Sequence, residues 1–382
     1  MPRWRASGAL AALSAAAFCY ITTEVLPIGL LTVIAADLHR TRSQTGLLVT
    51  GYAIVVVLAS VPLAKMTERV PRRLVLAVTL TVFALATFAS ALAPTYTLLL
   101  VARLAIAFTQ GMFWSVVATT GTALFPPSRR GRVVARLAIG NGLAPVLGVP
   151  AGTWLGQQAG WRTAFLVMAA LNLVVCVAVT ALVPTFAPAL SNASRGSEPH
   201  RRRFHVVVVM TAVMVTGFHV AYTYITPFLL DVSHFAAAAL GPLLLVSGIF
   251  GVVGIFAVGA ILDRRPWGAP IVPVALLATA LLGLAAFGPV RPLAVALLAL
   301  AGLAYGTLPP AIQSRVLQVA PGSTDVASAA LSSAFNVGIA TGSFVGGILL
   351  ASAGPRSVPL VGGLLAALAL ALIAADHRSA GR

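Results

Sequence analysis

From Gly8 to Ala374 the sequence is a succession of twelve apolar runs separated by short polar breaks, and no other property of the chain restricts its fold so tightly. The runs are Gly8–Ala36, Gly46–Ala64, Leu74–Leu92, Thr97–Leu124, Val133–Leu155, Ala164–Val183, Val206–Leu230, Leu240–Leu262, Ala269–Phe287, Leu293–Gln313, Val326–Ala351 and Val358–Ala374. A bilayer core about 30 Å thick is crossed by about 20 residues of helix. Inside it every backbone N–H and C=O needs a partner within the protein, which only helices and closed barrels supply. Barrel strands are about 10 residues long and alternate in polarity. These runs are longer and continuously apolar, so they are read as helices. Arg3 and Arg5 ahead of the first run resemble the start of a signal peptide. That run continues to Ala36 without a cleavage site followed by a soluble domain, and is read as a retained first span.

Composition agrees. The chain is 59% hydrophobic and 9% charged, against about 45–50% and about 25% in soluble domains. A net charge of +17 would suggest nucleic acid as a partner of a soluble protein, so the position of the cations decides its meaning. Lys and Arg collect in alternate breaks, among them Arg3, Arg5, Lys65, Arg69, Arg72, Arg73, Arg129, Arg130, Arg132, Arg136, Arg201, Arg202 and Arg203. The other breaks hold only Arg40, Arg42, Arg162, Arg291 and Arg356. Positive charge is retained on the cytoplasmic side, which predicts both termini in the cytoplasm of a multi-pass protein of a bacterial-type cytoplasmic (inner) membrane. Nucleic acid is not expected as a partner; the bilayer is.

The longest break, Pro184–His205, is rich in Pro, Ser and Arg and separates six spans from six. It predicts an N-terminal bundle over 1–183, a cytoplasmic basic linker over 184–205, and a C-terminal bundle with a short tail over 206–382. Short echoes link the halves. Gly142-Leu143-Ala144 recurs as Gly338-Ile339-Ala340, Ala159-Gly160-Trp161-Arg162 as Ala353-Gly354-Pro355-Arg356, and Glu68-Arg69 as Asp263-Arg264. The expected fold is therefore an all-α polytopic membrane protein, twelve transmembrane helices in two pseudo-symmetric halves. Parallel repeats of this kind point to alternating access around a substrate site near the midplane.

Ionisable side chains are expensive within lipid, about 2.5–3.5 kcal/mol on insertion scales, and so are candidates for function. Glu24 is the one acid well inside a run, Arg103 the one cation and His219 the one deep histidine. Glu24 could take and lose a proton as water reaches it; it could equally be ionised against a cation, or hydrogen-bonded as a neutral acid. Arg103 could tune a proton carrier or pin backbone carbonyls at a helix break. A lone histidine is more often a satisfied hydrogen-bonding residue than a titrating one. In the fifth run Gly140, Gly142, Gly148 and Gly152 are interspersed with Pro145 and Pro150, a density that allows close backbone approach and a bend. Ordinary small-residue packing and a surface on which the halves rock are both open readings of it.

Lysine occurs once, as Lys65 behind Ala64, so no Walker-type phosphate loop exists. Cys19 and Cys176 lie in apolar runs without metal-ligand spacing and are read as small buried apolar residues; no metal or cofactor is expected.

The segment after the second run, Ala64-Lys65-Met66-Thr67-Glu68-Arg69-Val70-Pro71-Arg72-Arg73, resembles the loop signature of the major facilitator superfamily, with Glu for Asp and Pro for the second Gly. Gly259-Ala260-Ile261-Leu262-Asp263-Arg264-Arg265 is a second copy, closer to the signature at its start. Arg103 with Gln110-Gly111 resembles the fourth-span signature, and Gly140 to Gly152 the antiporter signature, with Ala144-Pro145 for its Gly-Pro pair. The resemblance covers nearly the whole chain and is to the twelve-helix drug:proton antiporter branch, specifically arabinose-efflux-permease-like proteins. It implies proton-driven export, proton coupling through Glu24 and Arg103, and a cytoplasmic gate formed by Glu68, Arg69, Arg72, Arg73, Asp263 and Arg264. The energy source would be the proton gradient.

For the substrate cavity the candidates are Tyr52, Gln110, Trp114, Asn141, His219, Tyr222, Tyr224 and Asn336. Polar groups are few for a polyhydroxylated ligand, whose unmatched hydroxyls would cost free energy. A small amphipathic or apolar substrate, a drug or a metabolite, is favoured for a monomeric carrier. The alternatives are a sugar or nucleoside exporter of the same fold and a proton-independent facilitator. A membrane enzyme would need a nucleophile and base, or metal ligands, that the spans do not supply.

Overall fold

The computed structural model describes residues 3–67, 70–126, 130–184, 198–262, 271–322 and 324–380. They form fifteen α-helices with short turns and, among the described residues, no strand. Two compact units result, Met1–Arg40 with Gly51–Leu190 and Thr41–Thr50 with Ser191–Arg382. In chain order the helices are α1 (Arg3–Gly29), α2 (Leu31–Asp37), α3 (Arg42–Thr67), α4 (Arg72–Ala91), α5 (Tyr96–Ala123), α6 (Arg130–Leu143), α7 (Val149–Ala159) and α8 (Trp161–Leu182). They continue as α9 (Arg201–Tyr222), α10 (Ile225–Asp231), α11 (Leu240–Leu262), α12 (Ile271–Phe287), α13 (Arg291–Val319), α14 (Thr324–Ala353) and α15 (Ser357–Ala380).

Ten of these helices are long and apolar enough to cross a membrane, and Ile271–Phe287 is a shorter apolar helix. The fifth run is the twelfth span. It is split where Ala144–Gly148 form a π-helical turn between α6 and α7. Pro145 and Pro150 each lack an N–H for the helical ladder, so the chain must rearrange there, and a π turn is one of the few ways to do so within a span. Large apolar side chains such as Leu85, Val174, Phe256 and Leu364 stand exposed along the helices, as lipid-facing residues do.

Three of the fifth run's glycines lie against α1. A Cβ on Gly140 would come within 1.9 Å of the Ser14 carbonyl oxygen, on Gly148 within 2.0 Å of Thr22 Oγ1, and on Gly152 within 2.6 Å of Leu26 Cδ1. The second unit repeats the pattern: Gly338, Gly342 and Gly346 of α14 face Val215, Thr216 and Val220 of α9 at 2.7, 2.5 and 2.6 Å. Gly140→Ala is expected to destabilise the protein by about 1–3 kcal/mol, because the obstructing atom is backbone and cannot rotate away. At Gly142 a Cβ meets nothing within 4 Å, so Gly142→Ala should be neutral or slightly stabilising. Thermal unfolding of the two variants in detergent checks the contrast, and equal midpoints would show that α1 and α6 can part at no cost.

The echoes between the halves have a structural meaning. Gly160 and Gly354 both adopt positive φ, +87° and +78°, where L side chains are strained. Each precedes an arginine that reaches a carbonyl near the end of its unit's third span. Arg162 binds the Ala93 oxygen at 3.0 Å and Arg356 the Ala286 oxygen at 3.5 Å. His39 and His234 likewise share positive φ, after α2 and α10. In the first unit Arg162 also binds Asp37 at 2.5 Å, and Trp161 Nε1 donates to the same oxygen at 3.1 Å. Desolvation pushes the Asp37 carboxyl up, and the bonds from Arg162 and Trp161 outweigh it, so the group lies below the usual carboxylate range.

In the second unit Arg42 pairs with Asp231, Ser43 Oγ donates to the Gly347 carbonyl at 2.7 Å, and Thr50 meets Ser343 Oγ at 2.8 Å.

Candidate functional site

The first unit holds a polar cluster inside an apolar bundle. Tyr20 and Glu24 are four residues apart on α1 and share a face; Arg103 and Gln110, seven apart, share a face of α5 two turns long. Tyr52 joins them from α3. Gln110 is the centre: its Nε2 donates to Glu24 Oε2 at 2.9 Å and its Oε1 accepts from the Tyr52 hydroxyl. In this orientation one carboxamide serves an acid as donor and a phenol as acceptor, so it links α1 to α3 through α5.

Arg103 is fully buried, yet it forms no ion pair with Glu24. One guanidinium nitrogen binds the Thr23 carbonyl at 2.5 Å and the other the Glu24 carbonyl at 2.9 Å. The reason is four residues on. In a helix the Thr23 carbonyl would accept from residue 27, which is Pro27 and has no N–H. Arg103 supplies the missing donor from the neighbouring helix. Its charge also rests over the Tyr52 ring, 4.5 Å from the centroid, a cation–π contact that partly replaces hydration. Of the two roles open for Arg103 from sequence, this geometry is that of the carbonyl clamp. Glu24 is left partly exposed, its carboxyl bound to a neutral amide. The two ion pairs found among the described residues, Arg42 with Asp231 and Arg162 with Asp37, both stand at helix ends.

The second unit holds an aromatic cluster. The Phe218 ring is stacked on Tyr305 at 3.7 Å and on Tyr222 at 4.8 Å, and His219 meets both tyrosines edge-on. His219 Nδ1 donates to the Val215 carbonyl at 3.1 Å, which leaves Nε2 as the acceptor. Phe218 and Tyr305 were not among the sequence candidates. Tyr222 lies four residues after Phe218 on one helix face, a visible signal, whereas nothing in the sequence pairs α9 with Tyr305 of α13.

The other candidates separate. Tyr224 is fully buried, its hydroxyl donating to the Ser343 carbonyl at 2.8 Å and its ring lying against Gly346. Asn336 is tied to its own helix through the Ser332 carbonyl. Trp114 is half-buried and edge-on to Phe113, and Asn141 is exposed. Of the gate candidates, Glu68, Arg69, Asp263 and Arg264 lie outside the described residues. Arg73 binds the Thr180 carbonyl with two nitrogens, at 3.1 and 2.8 Å, and Arg5 the Ala181 carbonyl at 3.0 Å, so both arginines cap the C-terminus of α8.

Twelve apolar spans in two similarly built units, with an acid in the first span and aromatic rings in the seventh, define a polytopic membrane transporter. The family model described as Major Facilitator Superfamily matches residues 13–331, and the chain belongs to that family. It is 33% identical, over 93% of its length and 90% of the relative's, to a "Probable sugar efflux transporter" of Mannheimia succiniciproducens. Its fold is similar to that of a bacterial homologue of the human lysosomal transporter Spinster, in an inward-facing, occupied conformation. That match has a TM-score of 0.79 at 16% identity, covering 99% of this chain and 98% of the other. The nucleoside transporter NupG gives a TM-score of 0.76 at 14% identity, covering 96% and 98%.

Proposed function

We propose that this transporter exports small amphipathic compounds in exchange for protons, by alternating access, with Glu24 as the proton-binding group. The observation that carries the proposal is the setting of Glu24: a partly exposed acid in a span, bound to Gln110 and paired with no cation among the described residues. Such an acid can be charged when water reaches it and neutral when it does not, which is what coupling requires. Arg103 serves it from behind by fixing the backbone at Thr23 and Glu24. The amphipathic substrate class is supported by how the carboxamides are spent. Asn172 donates to Thr87, Gln313 to Ser328 and Gln110 to Glu24, while Phe218, Tyr222 and Tyr305 offer ring faces. The distribution of Lys and Arg supports a cytoplasmic-membrane carrier with both termini inside.

A second reading, a sugar exporter, is favoured by the 33% identical relative; ring faces suit the apolar side of a sugar as well. Two measurements test these readings. In proteoliposomes containing a pH-sensitive dye, substrate should elicit proton movement across the membrane, and its absence would refute proton exchange. Growth inhibition by a panel of antibiotics, nucleosides and sugars, in cells with and without the protein, separates the substrate classes: protection confined to sugars would reject the amphipathic reading.

A further inference from the structure

A crevice of about 630 Å³ in the first unit takes no part in the site just described. Its floor is α1, at Ala11 and Phe18; its walls are Ile139 of α6 and Leu147 of the π turn on one side and Leu171 of α8 on the other. The bend in the fifth span accounts for it. Gly148 and Gly152 hold the π turn and α7 flush against α1, with would-be Cβ contacts of 2.0 and 2.6 Å, and Gly156 meets Leu30 just beyond it at 2.3 Å; α7 also packs on α8. Before the bend, α6 follows α1 through Gly140, while α8 has α1, α4 and α7 as its main partners. The space between α6 and α8 is left open. Ile139, Leu147 and Leu171 are exposed along it.

The crevice has one charged lining residue, Arg136, midway along α6 and the α6 lining residue furthest from the π turn. Its backbone oxygen accepts from Ser14 at 3.0 Å; its guanidinium is exposed and makes no hydrogen bond or ion pair among the described residues. Ser14 is spent on that bond and on the Gly140 N–H at 3.1 Å. The slot thus offers apolar walls and one unused cation at one end. Along α1 it runs from Ser7 to Cys19, about 18 Å at about 1.5 Å per residue. That is close to one leaflet of a core about 30 Å thick.

We propose that the crevice between α6 and α8 is a binding site for an anionic glycerophospholipid, with an acyl chain along α1 and the phosphate on Arg136. A planar guanidinium binds a phosphate through two parallel hydrogen bonds, and basic pockets between membrane helices are where anionic head groups are held. A zwitterionic lipid brings its own cation beside the phosphate and gains less.

Native mass spectrometry of the full chain, with dioleoylphosphatidylglycerol and dioleoylphosphatidylcholine added in equal amounts, tests the site. The wild type should retain one phosphatidylglycerol in preference to phosphatidylcholine. Arg136→Ala should weaken that retention about tenfold and leave phosphatidylcholine unchanged, and Arg136→Lys, which keeps the charge but not the paired bonds, should fall between the two. Because the Arg136 side chain makes no hydrogen bond or ion pair among the described residues, the fold should survive its loss. Ala11→Trp, which fills the exposed floor, should exclude both lipids from the slot. Equal retention of the two lipids by the wild type, unchanged phosphatidylglycerol retention in Arg136→Ala, or undiminished binding in Ala11→Trp would each overturn the proposal.

Discussion

Glu24→Gln is expected to reduce uphill export at least about 100-fold while substrate exchange down its own gradient continues, since about 2.7 kcal/mol of driving force corresponds to that factor. The substitution is nearly isosteric. Its carboxamide oxygen can still accept from Gln110 Nε2, which donates to Glu24 Oε2 at 2.9 Å, so the clamp on α1 and the Tyr52–Gln110 bond are undisturbed. What is removed is the capacity to be charged in one state and neutral in another. Glu24→Asp keeps that capacity but is a methylene too short for the Gln110 bond, and should retain partial coupling. Transport assays in proteoliposomes, with a pH gradient and with substrate alone, separate the two functions. Gradient-driven accumulation by Glu24→Gln would dismiss the assignment. If exchange and uphill export fall together, Glu24 binds substrate and does not carry protons.

Much of the architecture was legible in the sequence because lipid leaves so few choices. Continuous apolar runs had to be helices, and the Gly and Pro density of the fifth run announced a bend, found as the π turn at Ala144–Gly148. The repeated Gly-x-Arg at Gly160 and Gly354 marked turns that only glycine makes comfortably. Side-chain neighbours were harder. A span that is apolar on every side carries no period to say which face is buried, so Tyr224 and Tyr222, two residues apart, could not be told apart as packing and half-exposed rings. Glu24 and Arg103 stood out because each was alone, which invited pairing them. The true partners, Gln110 and two backbone carbonyls, are groups that hydropathy does not register.

The clamp gives the second large prediction. Arg103→Leu should cost about 2–4 kcal/mol, because two buried carbonyls lose charge-assisted hydrogen bonds and the Thr23 carbonyl has no alternative donor. Pro27→Ala supplies one, restoring an N–H at residue 27. In that background the Arg103→Leu penalty should fall by about half, a coupling of about 1–2 kcal/mol between residues on different helices. Thermal unfolding of the four proteins in detergent completes the cycle, and strictly additive effects would reject the clamp. Transport supplies a readout that stability alone would not. A proton carrier at Arg103 is lost whatever residue 27 is, so the doubly substituted protein would remain uncoupled. A positioning residue acts through the backbone at Thr23 and Glu24, so Pro27→Ala should return proton-coupled export to Arg103→Leu. Glu24 stays where Gln110 can reach it once the carbonyl behind it has a donor, whichever helix provides it.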